Sequence, residues 1–270
     1  MNMNKKRFGK GLLTALVLAV CLLAGCGKKE ASDKDRLGRI QESGEIVIAM
    51  EGAWSPWTYH DENDVLVGFD TEVGQAIADI LGVKATFVEG EWDALLAGLE
   101  VGRYDLMING VEVTDERSET FDFSEPYGYI RTALVVKSDN TDITSFEDLK
   151  GKETANSINS TYMLLAEQYG AQVQGVDTLD QTIDMVLSGR VDATLNAELS
   201  IDDYLKEHPD AAIKTVALTE EASLVSIPMK KGSDSDSLRE AVNSAIAQLR
   251  ENGKLAEISM KYFGKDITDK

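Results

Sequence analysis

From residue 45 onward, short apolar runs alternate with longer stretches in which apolar side chains recur every three or four positions. The runs at 45–50, 84–89, 104–108, 133–137, 172–176, 193–195, 213–216 and 224–229 have the length and residue types of strands. Between the first two, Phe69, Val73, Ile77, Ile80 and Leu81 keep helical spacing behind Asp70, with Gly82 as the stop. The same periodicity predicts helices at 92–101, 161–169, 178–189, 198–207, 236–252 and 254–263. Strands alternating with helices predict parallel sheets flanked by helices, an α/β fold class. Periodicity alone leaves open whether these elements make one domain or two.

The first 25 residues follow a different pattern. Lys5, Lys6, Arg7 and Lys10 precede an almost wholly apolar run over 11–24, the n-region and h-region of a secretory signal. That run falls short of the ~20 residues a membrane-spanning helix needs. It ends in Leu23-Ala24-Gly25-Cys26, which resembles the lipobox of bacterial lipoproteins. The resemblance implies cleavage after residue 25, lipidation (palmitate) of Cys26, and a protein held by that anchor at the outer face of the bacterial cell membrane. Residues 27–36, GKKEASDKDR, lack an apolar period and read as a flexible tether, expected over 26–40 with the lipidated cysteine at its head.

Composition narrows the function classes. The 270 residues carry a formal charge of −20, and losing the four positive charges of the signal brings it to −24, so nucleic acid is not an expected partner. Cys21 and Cys26 are the only cysteines, which leaves the mature domain without a disulfide and dependent on its core. His60 and His208 are the only histidines and are not clustered, so no metal or other cofactor is expected.

Several blocks in order carry a further resemblance: Gly68-Phe69-Asp70, Trp92-Asp93-Ala94-Leu95, Thr114-Asp115-Glu116-Arg117, Phe121-Asp122-Phe123-Ser124-Glu125-Pro126-Tyr127, Phe146 through Lys152, and Gly189-Arg190-Val191-Asp192-Ala193. Over 46–263 the chain resembles the bacterial extracellular solute-binding proteins of family 3, the polar amino-acid binders of ABC transporters, with a lean toward the cystine-binding type. The resemblance implies a two-lobed, type II periplasmic-binding-protein fold, each lobe a mostly parallel sheet flanked by helices and the two joined by hinge strands. Lobe 1 is expected at 41–136 plus 226–270, lobe 2 at 137–225, and the crossovers near 135–138 and 225–228. The implied partners are a small polar amino acid and a membrane ABC permease, the protein acting as a monomer and not as an enzyme.

A receptor for a free amino acid needs a fork of donors for the carboxylate, an acceptor for the ammonium and a shaped wall. Arg117 occupies the arginine position of the family motif and is the expected carboxylate clamp, since a guanidinium gives two parallel hydrogen bonds where lysine cannot. Ser157, Asn159, Ser160 and Thr161 lie before and at a predicted helix start, where free amide N–H groups suit an anion. Trp54, Trp57 and Trp92 are candidates for the wall, with Tyr162 behind them. Glu51, Asn109, Gly110 and Asn196 complete the set by their position in the family pattern.

The sequence departs from that pattern twice. The position at which the family commonly holds an ammonium-binding Asp is Ala197, and a position usually Thr, Ser or Gly is Glu112. The missing carboxylate is therefore expected to have moved to Glu112, which takes the ammonium or reads a cationic group; Asn109, Asn196 and Glu198 are the other acceptors. The resemblance also extends to cyclohexadienyl dehydratase-like enzymes, for which Glu112 is the one candidate acid or base, and an amino-acid sensor is a further alternative.

Overall fold

The structure is a computed structural model that describes residues 34–269. The described residues form one compact unit. The signal sequence, Cys26 and most of the expected tether lie outside the described residues.

The chain folds into two α/β lobes. In the first, Glu45–Met50 is the centre of a parallel sheet between Lys84–Glu89 and Leu106–Met107. Helix Phe69–Leu81 covers one face, and its apolar stripe of Phe69, Val73 and Ile77 is fully buried. Each such side chain contributes roughly 1.5–3 kcal/mol by leaving water. Its start requires a glycine: Gly68 has φ 131°, and a Cβ there would stand 2.2 Å from the Trp57 carbonyl oxygen. Gly82 ends it in the left-handed region with its N–H on Ala78 and Asp79 carbonyls. The C-terminal helices Asp236–Glu251 and Lys254–Phe263 pack on this helix from outside.

The second lobe is built on a five-stranded sheet in the order Gln172–Val176, Glu153–Ser157, Ala193–Ala197, Thr132–Lys137, Ile213–Leu218. The first two ladders are parallel and the last two antiparallel, so this sheet is mixed where a mostly parallel one was expected. The antiparallel half exists because Thr132–Lys137 enters from the other lobe rather than through a helix.

Two boundaries differ from expectation. Residues 135–138 were expected to cross between lobes, yet Val135 and Val136 are fully buried mid-sheet in lobe 2. The connection instead runs through Gly128–Ile130 and Ser223–Val225, which pair antiparallel with each other. At the N-terminal end, residues 36–40 were expected to be tether but begin helix Arg36–Ser43. Asp35 caps it through Gly38 N, Ile40 is buried, and Arg36 Nη1 reaches Asp105 Oδ1 at 3.0 Å. One buried apolar residue and a capped end leave almost no periodic signature in so polar a stretch.

Candidate ligand-binding site

The first wall forms where two neighbouring parallel strands end. Glu51 follows Glu45–Met50, and 109–112 follows Leu106–Met107, so their C-terminal ends open onto the same crevice. The two segments are locked reciprocally: Glu51 N donates to Asn109 Oδ1 at 2.7 Å, and Asn109 Nδ2 donates to Glu51 Oε2 at 2.6 Å. Burial pushes the Glu51 carboxyl up to about 7, and the hydrogen bond from Asn109 opposes it. Behind them, Asp70 accepts from Gly110 N at 2.6 Å and from Tyr127 Oη at 2.7 Å. Asp70 is wholly buried, which raises its carboxyl to about 7 against the pull of both donors.

Gly110 has φ 55°, and a Cβ there would stand 2.6 Å from Trp54 Cζ3, so the bare backbone lets the indole lie flat on this turn. Trp54 stacks at 5.2 Å and 12° on Trp57, which is itself fully buried against Phe69 and Phe263. Trp54 therefore presents its outer face to the cleft. Trp57, expected to share it, is the core plug that fixes the wall's position and does not line the cleft.

Arg117 stands on the short helix Asp115–Thr120, capped by Thr114 Oγ1, which accepts from Arg117 N at 3.1 Å. Its guanidinium lies 5.1 Å from the Trp92 ring centroid and donates to the Glu112 carbonyl at 3.0 Å and the Asn159 carbonyl at 3.4 Å. Burial lowers its pKa, and the Glu112 charge partly offsets this. Both side-chain bonds go to backbone carbonyls, and no carboxylate pairs with it among the described residues. A part-buried guanidinium in that state keeps donor capacity for an anion.

Lobe 2 supplies the opposite wall. Ser157 ends strand Glu153–Ser157, Asn159 bends the chain at φ 56°, and Ser160 caps helix Thr161–Gln168 by accepting from Met163 N at 3.1 Å. Thr161 Oγ1 donates to Glu112 Oε1 at 2.5 Å, and Asn196 Oδ1 accepts from Trp54 Nε1 at 3.2 Å. These bonds join the lobes, so the cleft is closed.

The space between the lobes, a cavity of about 40 Å³, is lined by Glu51, Trp54, Trp92, Asn109, Gly110, Glu112, Arg117, Ser157, Ser160, Thr161 and Asn196. Asn159 is exposed outside it, its amide donating to Asp93 Oδ1 at 3.0 Å. Glu198, an alternative acceptor, is engaged by Arg131 at 3.1 Å and Lys265 at 3.4 Å. Ala53, Thr178 and Leu179 line the cleft without having been expected there, and Tyr162 joins them. Thr178 caps helix Leu179–Leu187, a start that the apolar period announces, but nothing in the period says that it faces a cleft.

Glu112 is also tied to the lobe connection. It bridges to Val225, flanked by Val113 N to Leu224 O at 2.9 Å and Ser226 N to Val111 O at 3.0 Å.

Residues 46–265 match the family of bacterial extracellular solute-binding proteins, family 3. The chain belongs to that family. Within it, the L-cystine-binding protein TcyA of Bacillus subtilis is 38% identical over 261 residues, covering 94% of this chain and 96% of that relative. An ancestral arginine-binding protein bound to arginine superposes with a TM-score of 0.77 at 34% identity, over 82% of this chain and 99% of the other. The L-cystine solute receptor of Neisseria gonorrhoeae, unliganded and open, is 40% identical over 87% of this chain and 99% of its own, yet its TM-score is 0.59. That receptor is in the open conformation, whereas the lobes of this family member are bonded through Thr161 to Glu112 and through Trp54 to Asn196.

Proposed function

We propose that this protein is the substrate-binding lipoprotein of an ABC importer, carrying a polar L-amino acid, cystine or a close relative, to a membrane permease. The observation that carries the reading is the arrangement of Arg117 and Glu112. A part-buried guanidinium whose side-chain bonds go only to backbone carbonyls lines the same cleft as the buried carboxylate of Glu112, which matches the zwitterion of an α-amino acid. Trp54 and Trp92 supply flat faces beside them. The cystine-binding names of similar proteins support cystine among the candidates.

The ligand would meet lobe 1 first through Arg117 and the Trp54 face. Closure then brings Thr161 and Asn196 over it and excludes water, which strengthens every polar contact inside. Bending is expected at the ribbon of Gly128–Ile130 and Ser223–Val225. The lipid on Cys26 would keep the carrier near its permease.

A thermal-shift screen of residues 27–270 against the twenty amino acids and cystine tests this. A ligand at 100 times its Kd adds about 2.7 kcal/mol. One amino acid should raise Tm, and Arg117→Ala should abolish the rise; no response to any of them would defeat the reading. Labelled palmitate should enter the full chain in a bacterial host and fail to enter Cys26→Ser, and label retained by that variant would place the lipid elsewhere.

A further inference from the structure

A second cavity of about 410 Å³, open to solvent, lies on the far side of Trp54. It shares Ala53, Trp54 and Leu179 with the inner cleft, so the two are adjoining compartments separated by those side chains. Both lobes build it. The 53–60 hairpin contributes Ser55 and Tyr59, helix Glu198–Glu207 contributes Ser200, Asp203 and Glu207, and Ser55 Oγ donates to Asp203 Oδ2 at 2.7 Å across the gap. The outer compartment is therefore completed by the same closure that completes the inner one.

Its charge has one dominant sign. Asp180, Asp203 and Glu207 face the space, and Asp180 and Glu207 have neither a hydrogen bond nor an ion pair among the described residues. Two phenols register the field: burial raises Tyr59 first and Asp203 and Glu207 add to it, while Tyr204 is raised by burial and then by Asp180 and Asp184. On the rim, His60 is committed to Glu89 Oε2 at 2.8 Å and Asp64 Oδ1 at 3.2 Å, and His208 lies against the Tyr204 ring. A second, independent feature asks for a ligand. Ser200 is 1% exposed and lines the cavity, yet its hydroxyl has no partner, a state that is unfavourable until something bonds to it.

We propose that this cavity is an outer subsite that receives the distal ammonium of an extended diamino acid whose first carboxylate and ammonium occupy the inner cleft. The proposal rests on the amino-acid reading above and deepens it. A short polar amino acid ends inside the inner cleft. A diamino dicarboxylic acid such as cystine continues past Ala53 and Leu179, and its second ammonium meets Asp180, Glu207 and the Ser200 hydroxyl.

Calorimetric titration of residues 27–270 with L-cystine and with the mixed disulfide of L-cysteine and 3-mercaptopropionate tests this, because the second probe keeps the length and both carboxylates and lacks only the distal amine. The protein should bind cystine at least tenfold more tightly than the mixed disulfide. The double variant Asp180→Asn, Glu207→Gln should lose that preference and hold the mixed disulfide as before, with an unchanged melting temperature in the absence of ligand. Equal binding of both probes by the unaltered protein, or a preference that survives in the variant, overturns the outer subsite and leaves the amino-acid reading intact. Absence of any heat with cystine also overturns it, and the thermal-shift screen with Arg117→Ala then shows independently whether the inner cleft holds a shorter amino acid.

Discussion

Thr161 Oγ1 donates to Glu112 Oε1 at 2.5 Å, joining residues 49 positions apart on facing lobes of the cleft. The contact puts the one acidic departure from the family pattern where a ligand ammonium would compete for it. Glu112→Gln keeps the size and the threonine contact but not the charge. A hydrogen bond to a charged group is worth about 1.5–3 kcal/mol, so affinity for the amino acid should fall roughly 10- to 100-fold by calorimetry. Unchanged affinity would assign the ammonium to Asn109 or Asn196.

Glu51 and Asp70 make the unliganded protein sensitive to pH. Both carboxyls are raised by burial to about 7, from 4.5 and 3.8 in the unfolded chain. Between those values the folded state binds more protons than the unfolded one, so their contribution to stability declines as pH rises to about 7 and levels off above it. In Glu51→Gln, stability relative to the unaltered protein should improve across that interval by on the order of 2 kcal/mol. Denaturant titrations at pH 5 and pH 8 measure the difference, and an identical offset at both would show that Glu51 does not titrate there.

Gly110→Ala should cost binding more than stability. The new methyl would press into Trp54 at 2.6 Å from Cζ3 while holding φ at 55°. Displacing that indole also breaks its 3.2 Å bond to Asn196. The expected outcome is a loss of affinity of at least tenfold with a shifted tryptophan emission, and normal affinity with unaltered emission would contradict it.

Tyr127→Phe isolates the support behind the turn. Tyr127 is fully buried and its hydroxyl is one of two donors to the Asp70 carboxylate. Removing it should lower stability by about 1–3 kcal/mol at neutral pH, read as an earlier denaturant midpoint. The loss should shrink at pH 5, where Asp70 is protonated and needs the donor less.

Much of the first lobe was legible because its helix and strands carry clean periods, as in Phe69, Val73 and Ile77. Strand Glu153–Ser157 was not, since ETANS shows no apolar alternation; its buried polar residues are tolerated partly through bonds such as Asn156 Nδ2 to Leu195 O at 2.9 Å. The hairpin strands Ala53–Trp54 and Leu66–Val67 are two residues each, too short for any period to show. For the cleft, the positions of Glu51, Glu112 and Arg117 followed from motif resemblance. The choice between Trp54 and Trp57 did not, because two tryptophans in one loop look alike until Phe69 and Phe263 claim one of them.

The ladder that ties Glu112 to Val225 limits how this receptor can be retuned. On the proposed function position 112 would read the cargo, and its backbone bridges to Val225 in the connection between the lobes, so a substitution there is expected to touch selectivity and posture together. Substitutions at Thr161 or Asn196 would leave that ribbon alone and act on posture only through the cross-lobe bonds to Glu112 and Trp54, so the two routes separate the backbone hinge from the side-chain latch.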